Sequence, residues 1–263
     1  MNTDKIRLGV KDSVATVTLS RPDVRNAFDE EMIAALAATF GHVDSDPKVR
    51  VVVLAAEGKA FCAGADLAWM RRMAGFTLEE NQRDALGLAT MLETLYRCKK
   101  PVIARVQGDC YAGGMGLVAA CDFAVAISSA QFCLSEVRLG LIPATIAPYV
   151  ISRMGPAAAR RYMLTAERFP AEDALRFGLV QRVVEADQLD GAVSEWVKLL
   201  LANSPAAMAE AKRLLHDVSQ APLSAELIQD TAERIAMVRA SVEGREGVSA
   251  FLDKRPPSWV RSA

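Results

Sequence analysis

Apolar and small polar residues alternate over residues 14–19, VATVTL, and this two-residue period predicts a strand with one face buried. Residues 51–55, VVVLA, form an unbroken apolar run, the pattern of a strand buried on both faces. Between them, over 29–43, Met32, Leu36, Phe40 and Val43 recur at helical spacing behind acids that suit a helix N-terminus. The order then repeats as a helix over 78–97, a strand over 102–106, a glycine-rich turn, a short helix and a strand over 123–127. Such alternation predicts an α/β fold with parallel pairing. From residue 170 strand signals fade, apart from LVQRVV at 179–184, and the rest reads as helices. Two of them, 188–202 and 224–242, carry apolar faces that must pack on the sheet region or on another subunit. No internal repeat, low-complexity tract or flexible linker separates this helical third, which reads as an extension of the same unit.

Composition narrows the function. With 263 residues and 51% hydrophobic content the chain can build a substantial core. Lys and Arg number 31 against 32 Asp and Glu, a net charge of −1 with no basic run, so nucleic acid is not an expected partner. No apolar stretch approaches the length of a membrane span, and the first ten residues carry no export pattern, so the expectation is a soluble, cytoplasmic protein without a membrane partner. The five cysteines show no CxxC spacing and sit among apolar residues, which predicts reduced, buried thiols. Histidine is scarce: His42 and His216 are the two, both in helical stretches. That disfavours Ser-His-Asp or Cys-His catalysis and a histidine-rich metal site, and no metal is expected.

Three segments carry candidate chemistry. Residues 61–67, F-C-A-G-A-D-L, follow the buried strand and a Glu57-Gly58-Lys59 turn; their small residues allow close approach to the backbone, and Asp66 can cap a following helix. Taken alone, the segment is also an ordinary tight turn. Residues 106–117, V-Q-G-D-C-Y-A-G-G-M-G-L, place glycines at the opening of an apolar helix, where unpaired amides suit an oxyanion or a phosphate. The spacing is neither GxGxxG nor GxxxxGK[ST], so nucleotide binding is disfavoured and close helix packing is the other role for the glycines. Residues 130–143 set Glu136 among apolar neighbours, where burial raises a carboxyl pKa toward the range of a general acid/base. A surface pairing of Glu136 with Arg138 is the alternative.

In order and spacing these motifs resemble the crotonase (enoyl-CoA hydratase/isomerase) superfamily. The resemblance includes R-P-x-x-x-N-A-F at 21–28, Cys121-Asp122, A-x-x-x-G-L-V at 174–180 and the tail E-G-V-S-A-F-L-D-K-R-P at 246–256, so it spans nearly the whole chain. It implies a ClpP-like spiral of repeated β-β-α units over residues 1–200, holding an acyl-CoA site, and a helical trimerisation region over 201–263. It implies that the amides of Ala65 and Gly113 form an oxyanion hole for the thioester carbonyl of an acyl-CoA, with Glu136 as the catalytic carboxylate. Arg25, Ala63, Asp66, Leu67 and Gly114 are then expected along the substrate. Phe251 and Lys254 are expected near the CoA, reaching it from a neighbouring subunit, with the Lys254 cation suited to a phosphate. No cofactor is implied beyond the CoA of the substrate, and the expected assembly is a homotrimer or hexamer.

One departure bears on the reaction. Hydratases of this superfamily usually carry a second glutamate at the position of Gly116, so the resemblance leaves a single carboxylate. Hydration of a 2-enoyl-CoA remains the first expectation, because 134–149 and 65–70 resemble hydratases of methylglutaconyl-CoA and isoprenoid-extended glutaconyl-CoA. Such a substrate has a second carboxylate, for which Arg71, Arg72 and Arg138 are candidate partners. A 3-enoyl to 2-enoyl isomerase shuttling one proton on Glu136 is the alternative enzyme. A non-catalytic acyl-CoA-binding homologue is the alternative from another class.

Overall fold

The computed structural model describes residues 3–219 and 221–260; residue 220 and the ends of the two expected regions, 1–2 and 261–263, lie outside the described residues. The chain opens with an antiparallel pair, β1 (Ile6–Lys11) and β2 (Val14–Leu19), followed by α1 (Glu30–Ser45). Next come β3 (Val51–Ala56), β4 (Ala60–Cys62), α2 (Leu67–Met73) and α3 (Leu78–Tyr96). A third round supplies β5 (Val102–Val106), β6 (Asp109–Tyr111) and α4 (Gly113–Ala120), and a fourth β7 (Phe123–Ile127), β8 (Gln131–Cys133) and α5 (Ala147–Thr165). The chain thus repeats β-β-α units. The first strand of each later unit joins one sheet and the second joins another, which winds the chain into a spiral.

The larger sheet has the order β1-β2-β3-β5-β7-β10, where β10 is Arg182–Val184 and follows β9 (Phe169–Pro170) and α6 (Ala171–Arg176). The smaller has the order β4-β6-β8-β9. All neighbours from β2 to β10 in the first sheet, and from β4 to β8 in the second, run parallel. Among the described residues, antiparallel strand pairing is confined to β1-β2 and β8-β9.

Burial follows the sequence pattern. Every residue of β3 is buried, as its apolar run requires, and Met32, Leu36, Phe40 and Val43 of α1 are all at 0% exposure. Asp29 caps α1 by accepting from Met32 N at 2.8 Å, and Thr77 with Glu80 closes a capping box on α3. α5 is broken by Gly155 (φ 74°) and Pro156, which cannot continue a helix. After β10 the regular elements among the described residues are helices, including α7 (Leu189–Ala202), α8 (Pro205–Val218), α9 (Ala225–Ala240) and α10 (Val242–Leu252). α8, α9 and α10 each start on a serine cap, at Ser204, Ser224 and Ser241. Among the described residues no helix is long and apolar enough to cross a membrane.

Candidate active site

The small sheet brings the three chemical segments together. β4, β6 and β8 lie side by side and parallel, so their C-terminal ends open on one edge. From β4 the chain runs into Ala63-Gly64-Ala65, from β6 into Ala112-Gly113, and from β8 through Leu134 and Ser135 to Glu136. The first two turns touch: a methyl group on Gly64 would lie 2.8 Å from Ala112 Cβ and 3.8 Å from Gly113 N. Gly64 holds φ 92°, a conformation that favours glycine. Ala112 holds φ 48° and ψ −120°, fixed by donation from its own amide to the Cys133 carbonyl at 2.8 Å.

Both turns leave amides unbonded. Ala65 forms an isolated parallel bridge with Phe28, in which Phe28 N donates to Gly64 O and Asp66 N donates to Phe28 O, each at 2.7 Å. That pattern uses the neighbours of Ala65 and turns its own N–H away from the bridge, where no described residue accepts from it. Gly113 is the first residue of α4, a helix with no side-chain cap, and its amide too meets no described acceptor. The positive end of the α4 dipole adds to the attraction for negative charge there.

Glu136 opens a short 3-10 turn that ends on Gly140 at φ 72°. Its Oε2 is buried and has no hydrogen-bond partner among the described residues, and no ion pair with Arg138 forms. Burial pushes its carboxyl above the usual glutamate range, against a smaller lowering by its own backbone amide. The surface pairing considered from sequence is thus not what the fold builds. Leu139, Leu141 and Ile142 just beyond it, and Leu67 at the start of α2, stand 50% to 74% exposed and give this edge an apolar surround.

The remaining sequence candidates divide. Arg25 and Ala63 line a cavity of about 490 Å³ together with Lys59 and Tyr111, so two cations face it. The Tyr111 hydroxyl donates to Asp109 at 2.8 Å; burial and that neighbour push the phenol up to about 12. Asp66 is occupied by the fold: Oδ1 accepts from Ala68 and Trp69 amides at 2.8 and 3.2 Å, and Oδ2 meets Arg21 at 3.0 Å. Burial alone would raise its pKa, but those donors outweigh it and hold the carboxyl below its usual range. Gly114 is packed against Cys62, where a methyl group would lie 2.8 Å from the Cys62 carbonyl oxygen. Gly116 faces hydrocarbon: its would-be Cβ is 2.3 Å from Ile146 Cγ2. Phe251, 82% exposed, and Lys254, at φ 54°, lie at the end of α10 and do not line the cavity.

A second cavity, of about 400 Å³, lies at the other end of α4, beside Ala119 and Asp122. Its charges are consumed: Lys212 Nζ meets Asp122 at 2.7 Å and the Lys100 carbonyl at 3.3 Å, and Arg153 donates to carbonyls at the end of α4. With the carboxylate and both cations there engaged, the unpaired buried carboxyl and the two unbonded amides lie instead at the strand ends. Sequence reading missed Phe28 and Ile146, which approach Gly113 and Gly116 through tertiary contacts; Phe28 was visible only as the last residue of the 21–28 motif.

The family model described as enoyl-CoA hydratase/isomerase matches residues 9–262 of the chain. A crystal structure of an enoyl-CoA hydratase from Shewanella pealeana superposes with a TM-score of 0.95 at 44% identity, covering 97% of this chain and 96% of that one. The short-chain-enoyl-CoA hydratase of Clostridium acetobutylicum is 30% identical, with 97% of each chain covered. The mevalonyl-coenzyme A hydratase sidH of Aspergillus fumigatus is 34% identical, over 94% of this chain and 91% of that one.

Proposed function

The chain belongs to the enoyl-CoA hydratase/isomerase family, the crotonases, and from that premise we propose that it adds water across the double bond of a 2-enoyl-CoA. In this reading the Ala65 and Gly113 amides receive the thioester oxygen and Glu136 moves the protons. The Glu136 carboxylate takes a proton from water as the oxygen adds to Cβ. The electron pair of the double bond shifts onto the thioester oxygen, the two amides hold the enolate, and the proton returns to Cα. One such donor is worth about 2.7–4 kcal/mol of transition-state stabilisation. Arg25 and Lys59, facing one cavity beside Ala63, are suited to the CoA phosphates. Lys254 and Phe251 would join from a neighbouring subunit of a trimer or hexamer, which the exposed apolar residues Ile228, Met237, Val242 and Phe251 favour.

The observation that carries this reading is a buried Glu136 oxygen, without a partner among the described residues, on the same sheet edge as two amides that no described residue accepts from. As acyl group we propose a branched glutaconyl-CoA such as 3-methylglutaconyl-CoA. Its second carboxylate would meet Arg71 or Arg138, since Arg72 is engaged by Glu30 at 2.7 Å. Gly116 favours a second reading: Ile146 occupies the space beside it, so a lone carboxylate also suits a 3-enoyl to 2-enoyl isomerase. Isotope-labelled water separates the two. Hydration incorporates solvent oxygen into the product of 3-methylglutaconyl-CoA or crotonyl-CoA, isomerisation of a 3-enoyl-CoA does not, and binding without any turnover returns the non-catalytic reading.

A further inference from the structure

The segment at 21–29 bonds to β4 and the turns on either side of it at several points. Asn26, fully buried, donates from Nδ2 to the carbonyls of Glu57 and Ala60 at 2.8 and 2.9 Å. Ala63 N donates to Arg25 O at 3.0 Å, and Arg21 reaches both Asp66 and Asp29. Arg25 and Asn26 both hold positive φ, 53° and 55°, and so reverse the chain to lay Phe28 alongside Ala65. The Phe28 backbone thus brackets Ala65, through Gly64 O on one side and Asp66 N on the other. Its side chain does something different: it lies against the other turn, where a methyl group on Gly113 would come within 2.7 Å of Phe28 Cε2 and 2.9 Å of Cδ2. At 1% exposure the ring is enclosed in the core and has no free space to swing into.

One residue therefore touches both turns that carry an unbonded amide, one through its backbone and one through its ring. We propose that Phe28 is a positioning residue that sets the spacing between the Ala65 and Gly113 amides. The inference rests on the proposed role of those amides as thioester-oxygen donors. Geometry of this kind matters because a displacement of about 1 Å in a reacting constellation costs on the order of 100-fold in rate. It acts where the enolate forms more than where the substrate binds, so kcat is affected and KM much less.

The test uses Phe28→Ala, Phe28→Leu, Gly113→Ala and the double variant Gly113→Ala/Phe28→Leu, each checked for folding by circular dichroism. Turnover is measured on crotonyl-CoA, and the infrared C=O stretch is read on bound carbonyl-labelled butyryl-CoA. In the unaltered protein the stretch is expected at lower frequency than in free butyryl-CoA. Phe28→Ala should cut kcat by about 10- to 100-fold, change KM by less than about threefold and return the stretch toward its free value, with Phe28→Leu between. Gly113→Ala, which drives a methyl group into the ring, should lose activity that the double variant partly regains; this pair decides the matter if Phe28→Ala does not fold. Wild-type kcat and stretch in a folded Phe28→Ala or Phe28→Leu, or no rescue in the double variant, overturns the proposal while leaving the amide pair standing. An unshifted carbonyl in the unaltered protein overturns the amide reading itself, and this one with it.

Discussion

Ile146 fills the space that a side chain at Gly116 would need: a Cβ there would sit 2.3 Å from Ile146 Cγ2 and 2.9 Å from its Cβ, with Leu92 behind. Ile146 is 1% exposed, so nothing can yield toward solvent. Gly116→Glu alone is therefore expected to destabilise the protein by about 1–3 kcal/mol through overpacking, and more if the carboxyl ionises in that hydrocarbon. Adding Ile146→Ala opens the space and should recover part of the loss. Chemical denaturation of the three variants checks this; a stable Gly116→Glu single variant would contradict the packing described.

Glu136→Gln removes the proposed proton carrier and keeps the shape, so turnover should fall by about 100- to 10,000-fold with acyl-CoA binding retained. The pH dependence follows from burial. Because the folded pKa is raised above 4.5, the base form disappears at a higher pH than for a free glutamate, and the acid limb of kcat/KM should lie above pH 4.5. Stability has the opposite slope to an ion-paired acid. The folded protein holds this proton more tightly than the unfolded chain, so the contribution is present below pH 4.5 and lost as pH rises through the folded pKa. Urea titrations at pH 4 and pH 8 should show Glu136→Gln gaining on the wild type at the higher pH.

The longer elements were legible from periodicity because burial alone dictates them. Val14–Leu19 and Phe123–Ile127 begin and end where the sequence pattern places them, and α1 buries the face marked by Met32, Leu36, Phe40 and Val43. The strands that build the site were not: Ala60–Cys62, Asp109–Tyr111 and Gln131–Cys133 have three residues each, too few to show a period. They exist because each aligns with the next, a tertiary effect. α5 obeys its breaker signal: Gly155 leaves helical geometry just ahead of Pro156, and the helix kinks there. LVQRVV shrank to a strand at Arg182–Val184, since Leu179 and Val180 are buried as loop residues rather than paired. In the site, Asp66 as a helix cap followed from local chemistry, whereas the contacts of Phe28 with Gly113 and of Ile146 with Gly116 join distant segments and leave no local trace.

Asp66 ties α2 to the 21–29 segment, and its removal should be felt as stability. Asp66→Ala removes the oxygen that accepts from the Ala68 and Trp69 amides, and the Arg21 partner, and should cost about 1–2 kcal/mol at pH 7. Its folded pKa is lowered, so its contribution is present above the unfolded value of 3.8 and lost as pH falls through the folded pKa. The gap between wild type and variant, measured by denaturant midpoint, should narrow on acidification below pH 3.8; a gap constant from pH 7 to pH 2.5 would remove the electrostatic part of this account.

All five cysteines are free and buried, and burial raises every one of their pKa values, to about 12 at Cys62 and about 11 at Cys98. Thiol-reactive dyes at pH 8 should therefore label the native protein only as fast as it opens, and label five sites at once in denaturant. Rapid labelling of one thiol in the native state would show an accessible thiolate that the fold does not provide.

Lys212 of α8 makes a charged link between that helix and the parallel core. It is 8% exposed, and its Nζ meets Asp122 Oδ2, the same oxygen that accepts from Val102 N at 2.8 Å at the start of β5. Lys212→Met keeps most of the apolar stem but strands the Asp122 charge beside a helix it no longer binds. The expected cost is about 2 kcal/mol, less than the 3–5 kcal/mol of a fully buried pair because Asp122 retains some water contact. Asp122→Asn keeps the bond from Val102 but leaves the ammonium facing a neutral amide. In Lys212→Met/Asp122→Asn neither charge is stranded, so the double variant should lose clearly less than the two single losses added together. Denaturation of the four proteins measures that coupling, and hydrogen exchange should place the weakened amides in α8 first; additive losses, or protection unchanged in α8, would mean that apolar packing alone holds the helix down.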